Sequence, residues 1–359
     1  AAVIAEQSTL DTSIESTSEA VTAEPNGFIE LGLAPELVQA VADLGYTQPT
    51  SVQLKAIPLA MGSDASKFID LMVSSQTGSG KTAAFLLPVL HTLINQQAEA
   101  EAEERAAFDR AVAEAAARGE PAPKRAKRKD PTSSRNFKAA TPGALILCPT
   151  RELAQQVAHD AIDLVKHCRG LRVANVVGGM PYQLQIAKLQ NADLVVATPG
   201  RLLDLQRSMQ IKLDKVQFLV VDEADRMLDL GFSDDLAELN QLTAQRKQTM
   251  MFSATFAPRI QQLAMRVMHD GGSSVQKVTI DSPQEKHANI KQMLYWADNA
   301  QHKRKMLDHW LRDTTINQAI VFASTQVECD GLANDLQQEG FSAVALHGAL
   351  SQGLRNRRL

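Results

Sequence analysis

Ser75-Gln76-Thr77-Gly78-Ser79-Gly80-Lys81-Thr82 is the stretch that decides the fold of this chain. An apolar run, Phe68-Ile69-Asp70-Leu71-Met72-Val73, leads into it, and a helix-forming segment, Ala83-Ala84-Phe85-Leu86-Leu87, follows. Strand, small-residue loop and helix make the setting in which a phosphate-binding loop is physically sensible. Glycines let backbone N–H groups turn inward to cradle an anion, and the helix N-terminus adds its dipole. Lys81 offers a point charge to outer phosphates, and the Thr82 hydroxyl can bind Mg²⁺. The strict pattern has Gly where this chain has Ser75. Taken alone, the loop favours nucleotide binding, and the competing reading is a Gly/Ser turn whose lysine is a solvated surface charge.

Downstream the chain alternates short apolar runs with amphipathic helices. The runs are Ala144-Leu145-Ile146-Leu147, Val173-Ala174-Asn175-Val176-Val177, Leu194-Val195-Val196-Ala197, Phe218-Leu219-Val220-Val221 and Met250-Met251-Phe252. Near-continuous apolar strands separated by helices predict a parallel sheet covered on both faces. That is a doubly wound α/β domain, whose ligands sit at the carboxyl ends of its strands. Polar motifs follow those ends directly: Pro149-Thr150-Arg151, Gly178-Gly179, Thr198-Pro199-Gly200-Arg201, Asp222-Glu223 and Ser253-Ala254-Thr255.

The remaining segments set the boundaries. Residues 1–26 are rich in Ser, Thr, Glu and Ala without periodicity and read as a disordered acidic tail. Helical spacing begins after Phe28, and Thr50 or Ser51 is good capping chemistry for a helix over 54–61. Residues of about 97–140 break the pattern. An Ala/Glu-rich half reads as a solvated helix, and a Pro-, Lys- and Arg-rich half, with Lys124, Arg125, Lys127, Arg128 and Lys129, reads as disordered. This insertion is either a solvated loop, an auxiliary nucleic-acid contact or a targeting signal. Residues 281–287 read as a linker, and a second α/β pattern follows with strands at 292–296, 319–322 and 343–346.

Bulk properties exclude several classes. A hydrophobic content of 44% and a charged content of 22% are those of a soluble globular protein, and 359 residues suffice for about two domains. A net charge of −4 argues against a uniformly basic nucleic-acid binder but not against a local basic groove. Cys148, Cys168 and Cys329 form no metal pattern and are expected as buried thiols of a reducing compartment. No apolar stretch approaches the ~20 residues of a membrane span, and no secretory signal opens the chain, so a cytoplasmic location is expected.

Asp222-Glu223 at the end of an apolar strand supplies the second half of a nucleotide site. Asp222 can hold Mg²⁺, and Glu223 can orient or deprotonate an attacking water. Asp222-Glu223-Ala224-Asp225 spells the signature of the DEAD-box RNA helicases, and the other motifs fall in that family's order. Residues 45–53 resemble its Q motif, with Phe28 as the upstream aromatic. Residues 75–82 resemble motif I, where the family tolerates a small residue in place of the first glycine. Pro149-Thr150-Arg151-Glu152-Leu153-Ala154 resembles motif Ia, Thr198-Pro199-Gly200-Arg201 motif Ib, and Ser253-Ala254-Thr255 motif III.

The resemblance implies a RecA-like helicase domain over 27–283, followed by an incomplete second RecA-like domain over 284–359. It implies an ATP hydrolase and RNA helicase using ATP and Mg²⁺. Lys81, Asp222 and Glu223 would be catalytic, with Thr82 and Asp222 at the metal. Gln76, Thr77, Gly78, Ser79, Gly80, Lys81 and Thr82 would hold phosphates, Gln53 would read adenine, and Phe28 would stack on it. Thr150, Arg151, Gly179, Thr198 and Arg201 would contact the RNA backbone without reading sequence, and Ser253 and Thr255 would couple RNA to the γ-phosphate. The family's further motifs, one supplying arginines to the γ-phosphate, have no counterpart before Leu359. The chain as given is therefore expected to bind ATP and RNA but to hydrolyse poorly and not to unwind. The alternatives are a non-catalytic RNA-binding scaffold that retains the helicase core and, less in keeping with the motifs, a DNA helicase or translocase.

Overall fold

Seven parallel strands form one sheet in the order β3-β4-β2-β5-β6-β1-β7. They are β1 (Leu71–Ser74), β2 (Ala144–Leu147), β3 (Val173–Val176), β4 (Leu194–Ala197), β5 (Phe218–Val221), β6 (Gln248–Ser253) and β7 (Gln276–Thr279). This computed structural model describes residues 26–62, 67–76, 78–127, 129, 134–268, 274–280 and 291–359. The chain divides into two compact units between Ser282 and Pro283. Residues 1–25 of the expected tail over 1–26, the linker over 281–287 and Thr77 lie outside the described residues.

The sheet belongs to the first unit, and period-2 alternation explains why its strands read as unbroken apolar runs. Ala144, Ile146, Leu194, Val196, Phe218 and Val220 project to one face, where Phe85, Leu37, Val52 and Val157 cover them. Leu145, Leu147, Val195, Ala197, Leu219 and Val221 project to the other, under Leu202, Met227, Leu236 and Ile260. Both faces are therefore core, as a doubly wound sheet requires. Each fully buried large side chain stabilises the fold by about 1.5–3 kcal/mol.

The first face is covered by α1 (Pro35–Asp43), α2 (Ser51–Met61), α3 (Lys81–Ala117) and α4 (Arg151–Leu164). The second is covered by α5 (Tyr182–Leu189), α6 (Pro199–Arg207), α7 (Ala224–Asp229), α8 (Ser233–Leu242) and α9 (Pro258–Val267). In α9 the buried residues Ile260, Leu263, Ala264 and Val267 form one apolar stripe at helical spacing.

Two differences from the sequence reading have identifiable causes. Strand β6 begins at Gln248, two residues before the apolar run, because its polar start is buried and satisfied. Gln248 Nε2 donates to the carbonyls of Ala60 (3.0 Å) and Ile69 (2.9 Å), and the Thr249 N–H donates to Asp70 Oδ1 at 2.8 Å. The helix after the phosphate loop does not stop where the composition changes. It runs unbroken for 37 residues, so the Ala/Glu-rich segment is its outer continuation.

The second unit holds α10 (Ala300–Leu311), α11 (Gln326–Gln338) and α12 (Gln352–Arg358). The strands expected at 292–296, 319–322 and 343–346 are not formed among its described residues. A strand needs a neighbour for its ladder and a cover for its apolar face. Here Trp296, Ile320 and Phe322 are 85%, 72% and 92% exposed.

Candidate functional site

The strand order places the loops after β5, β6 and β1 side by side, and a cleft of about 250 Å³ lies among them. It is lined by Ser75, Lys81, Glu223, Asp225, Arg226, Ser253 and Ala254. Gly78 and Gly80, with φ of 82° and 85°, shape the loop in the left-handed region that glycine tolerates, and Gly80 caps α3. At Gly80 a side chain has no room: a Cβ there would stand 2.6 Å from Gln53 Nε2 and 2.7 Å from Thr50 Oγ1.

Lys81 opens α3 and reaches two carboxylates. Its Nζ lies 2.9 Å from Asp222 Oδ1 and 3.4 Å from Glu223 Oε1. Burial disfavours the Lys81 charge, but Asp222 and Glu223 together outweigh it and hold the ammonium above its ordinary range. For Asp222 the balance falls the other way. Its side chain is fully buried, burial pushes the carboxyl up, and the single ammonium of Lys81 offsets this only in part. Burial also pushes the neighbouring Cys148 thiol well up, which makes it a poor nucleophile. Of the other thiols, expected as buried, Cys168 and Cys329 are only half-buried.

Asp222 Oδ2 is buried with no hydrogen-bond partner, and so are the Ser75, Ser79 and Ser253 hydroxyl oxygens. A buried carboxylate oxygen left unpaired is a hard donor suited to Mg²⁺, so the residues present fit that ion. Glu223 follows with φ 50° and ψ 55°, a strained setting for a residue with a side chain, of order 1–3 kcal/mol. Its Oε2 is 3.6 Å from Arg226 Nη1, one turn along α7. Arg226 and Asp225 were missed as cleft residues, although the three-residue spacing from Glu223 to Arg226 is a helical pair visible in the sequence.

The two residues expected at a base have other partners here. Gln53 completes a capping box at the start of α2: its Oε1 accepts from the Thr50 N–H at 3.0 Å. Its Nε2 donates to the Gly80 carbonyl at 3.0 Å, tying α2 to the phosphate loop. Phe28, expected to stack on the base, packs against its own fold in this structure. Phe28 is 2% exposed and sits in the apolar core, because the 3₁₀ turn at Ile29–Leu31 tucks it under α2.

The loops after β2, β3 and β4 gather the other candidates on the remaining part of the same carboxyl edge. Thr150 caps α4, its Oγ1 accepting from the Leu153 N–H. Arg151 Nη1 donates to the Gly178 carbonyl at 3.2 Å, and its guanidinium occupies the space a Cβ at Gly179 would need. Thr198 precedes α6 without a side-chain capping bond. Arg201 Nη1 donates to the Met180 carbonyl (2.8 Å) and to Gln185 Oε1 (2.9 Å), and its guanidinium stacks on Tyr182. Buried Gln185 in turn donates to the Val177 carbonyl, so it fixes Arg201, and nothing in its sequence setting signalled that. Ser253 ends β6 at the cleft, where its carbonyl accepts from the Ser75 N–H, and Thr255 lies two residues beyond.

Residues 50–263 match the family model of the DEAD/DEAH box helicases. This chain belongs to that family. ATP-dependent RNA helicase SrmB of Escherichia coli is 35% identical over 331 residues, which are 92% of this chain and 64% of that protein. RNA helicase CrhR of Synechocystis is 35% identical over 92% of this chain and 56% of its own length. The chain thus spans less than two-thirds of these curated relatives. Among solved structures, Saccharomyces cerevisiae Dbp5 bound to RNA and ADP BeF3 is 28% identical with a TM-score of 0.67, over 93% of this chain and 72% of that one. The doubly wound sheet is therefore the family's, and the DEAD sequence stands at the carboxyl end of β5, directly across β6 from the phosphate loop after β1.

Proposed function

We propose that this protein is an ATP-dependent RNA helicase, with ATP held at the cleft between β1, β6 and β5 and RNA on the adjoining loops. The single observation that carries the reading is the convergence of Lys81, Asp222 and Glu223 within 3.4 Å at the foot of a glycine-shaped loop. Residues 27–283 form the ATP-binding domain in this reading, and 284–359 contribute to a second domain. Three free thiols suit a cytoplasmic setting.

Each side chain has a task that its surroundings allow. Lys81 exchanges its carboxylate partners for the outer phosphates, which its raised proton affinity keeps it charged to do. Gln76, Gly78, Ser79 and Gly80 bring backbone amides to the phosphates, as Thr77 would, and the α3 N-terminus adds its dipole. The Thr82 hydroxyl and Asp222 would hold Mg²⁺, which when bound neutralises charge on the β- and γ-phosphates. Glu223, held in a strained backbone beside Asp222, orients the attacking water and accepts its proton. Ser253, at the end of the strand between the two halves of the site, and Thr255, just past it, link the γ-phosphate to the RNA loops. Thr150, Arg151, Gly179, Thr198 and Arg201 hold the sugar-phosphate backbone, with binding that is salt-sensitive and blind to sequence.

Two variants test the assignment. Lys81→Ala is expected to weaken binding of a fluorescent ATP analogue by about ten- to a hundredfold, the worth of one charge-assisted hydrogen bond. Glu223→Gln is expected to keep that binding while RNA-stimulated turnover falls by about 10²–10⁴-fold. Turnover by Glu223→Gln equal to that of the unsubstituted chain removes Glu223 from catalysis. Unchanged nucleotide binding by Lys81→Ala removes the phosphate site.

A further inference from the structure

Helix α3 leaves the sheet after Leu93 and Ile94, and every side chain from 98 to 107 is exposed. One turn further on, a short apolar stripe returns: Phe108 and Val112 are half-buried and Ala115 is buried. The helix ends at Ala117, and past its cap Gly119 takes a φ of 72°, where the Gly119 N–H donates to the Ala116 carbonyl and the Glu120 N–H to the Ala115 carbonyl. That glycine stop turns the chain back. Seven residues past Arg118, the Arg125 guanidinium stands 5.2 Å from the centre of the Phe108 ring, ten residues back along the helix. Ten helical residues rise about 15 Å. Seven extended residues span about 23 Å, so the segment from 119 to 125 runs back along the helix as a strap.

The strap carries the most basic sequence of the molecule. Between 121 and 139 there are seven basic residues and one acidic, in a chain whose net charge is −4. Lys124, Arg125, Lys127 and Lys129 are all exposed. The exposed part of α3 presents Glu99, Glu101, Glu103, Glu104, Asp109 and Glu114 on the same arm. Even so, Arg118 with Glu120, at 3.9 Å, is the only ion pair of the arm among the described residues. Arg125 is held against the helix, yet none of the described cations from 124 to 129 has an acidic partner.

We propose that this helix-and-strap arm, residues 97–127 with Lys129, is an auxiliary contact for the phosphate backbone of single-stranded RNA. The proposal rests on the RNA reading given above and extends it to a surface outside the family's motifs. A row of exposed cations with no ion-pair partner is complementary to a repeating anion, and each phosphate that it neutralises releases counterions. No large apolar side chain is exposed on the described residues from 97 to 129, so the arm lacks the buried anchors that a protein interface is built around. Phosphates need no such anchor. The arm would add avidity to the binding at the motif loops, raising affinity without adding sequence preference.

The test is K124Q/R125Q/K127Q/K129Q in the 359-residue chain, titrated with fluorescent poly(U) across a range of salt. The expected result is binding about tenfold weaker at low salt, with a salt slope smaller by about one for each phosphate no longer neutralised. Binding of the ATP analogue should not change, because none of the four side chains lines the cleft. Poly(U) affinity and slope equal to those of the unsubstituted chain overturn the proposal while leaving the RNA reading intact. Failure of the unsubstituted chain to bind poly(U) sinks the RNA reading and this proposal with it. A variant that keeps poly(U) affinity but loses binding to poly-L-glutamate assigns the arm to an acidic protein and likewise overturns it.

Discussion

At Gly80 two constraints meet in one residue, and they can be separated. Its φ of 85° penalises any side chain by about 1–2 kcal/mol, and a Cβ would also strike Gln53 and Thr50. Gly78 has nearly the same φ, 82°, but open space around its Cα. Gly78→Ala is therefore expected to lose only the conformational term. Gly80→Ala should in addition break the bond from Gln53 to the Gly80 carbonyl and weaken ATP-analogue binding about tenfold more. Equal losses in the two variants, measured by analogue titration and thermal unfolding, would show that the tie to α2 is not what Gly80 protects. The loop over 75–82 read as a phosphate cradle only together with Asp222-Glu223 and the motifs around it, because Ser75 departs from the strict pattern. Those motifs did not reveal that Gln53 is bonded internally at both ends, or that Phe28 is core. The sequence shows which side chains are present, while their partners depend on the packing around them.

Elements were legible in proportion to how fully their surroundings are apolar. Strands β2, β4 and β5, buried along their whole length, read directly as apolar runs. The start of β6 did not, because Gln248 and Thr249 are buried with polar partners contributed from distant parts of the chain. Arg246, buried beside them, is also satisfied internally, though by nearer residues: its guanidinium donates to the Asn240, Thr243 and Val267 carbonyls. Helix α3 contributes another long-range polar tie: His91 Nδ1 accepts from the Ala34 N–H, at the start of α1, at 2.9 Å. Burial lowers the His91 pKa below its ordinary 6.5, so the folded protein favours the neutral ring. The stability this contributes is complete above 6.5 and is lost as pH falls through the lowered value, since the unfolded chain takes up the proton first. Urea unfolding of the protein and of His91→Leu is expected to show a difference that is constant above neutrality and shrinks below pH 6.5. A difference that stays constant in acid would mean that His91 does not titrate on unfolding.

For the molecule as a whole, the two units differ in how their backbones are satisfied, and that difference can be measured amide by amide. In the first unit every central strand has a hydrogen-bonded neighbour on each side and an apolar layer on each face. Amides there are released only by global opening. In the second unit, residues 316–323 and 341–347 form no ladder among the described residues, and Ile320 and Phe322 stand largely exposed. The apolar pattern that led us to expect strands there is still present. An apolar run becomes a strand only when a neighbour offers a register and another element covers its face, and sequence cannot show whether either is there. Hydrogen exchange followed by mass spectrometry on the 359-residue chain should therefore find peptides of β2, β4 and β5 the slowest. Peptides spanning 316–323 and 341–347 should exchange at rates close to those of an open chain. Protection of those two segments equal to that of β2 would mean that they pair as strands in solution. In that case the second unit would own a sheet, as its apolar spacing led us to expect.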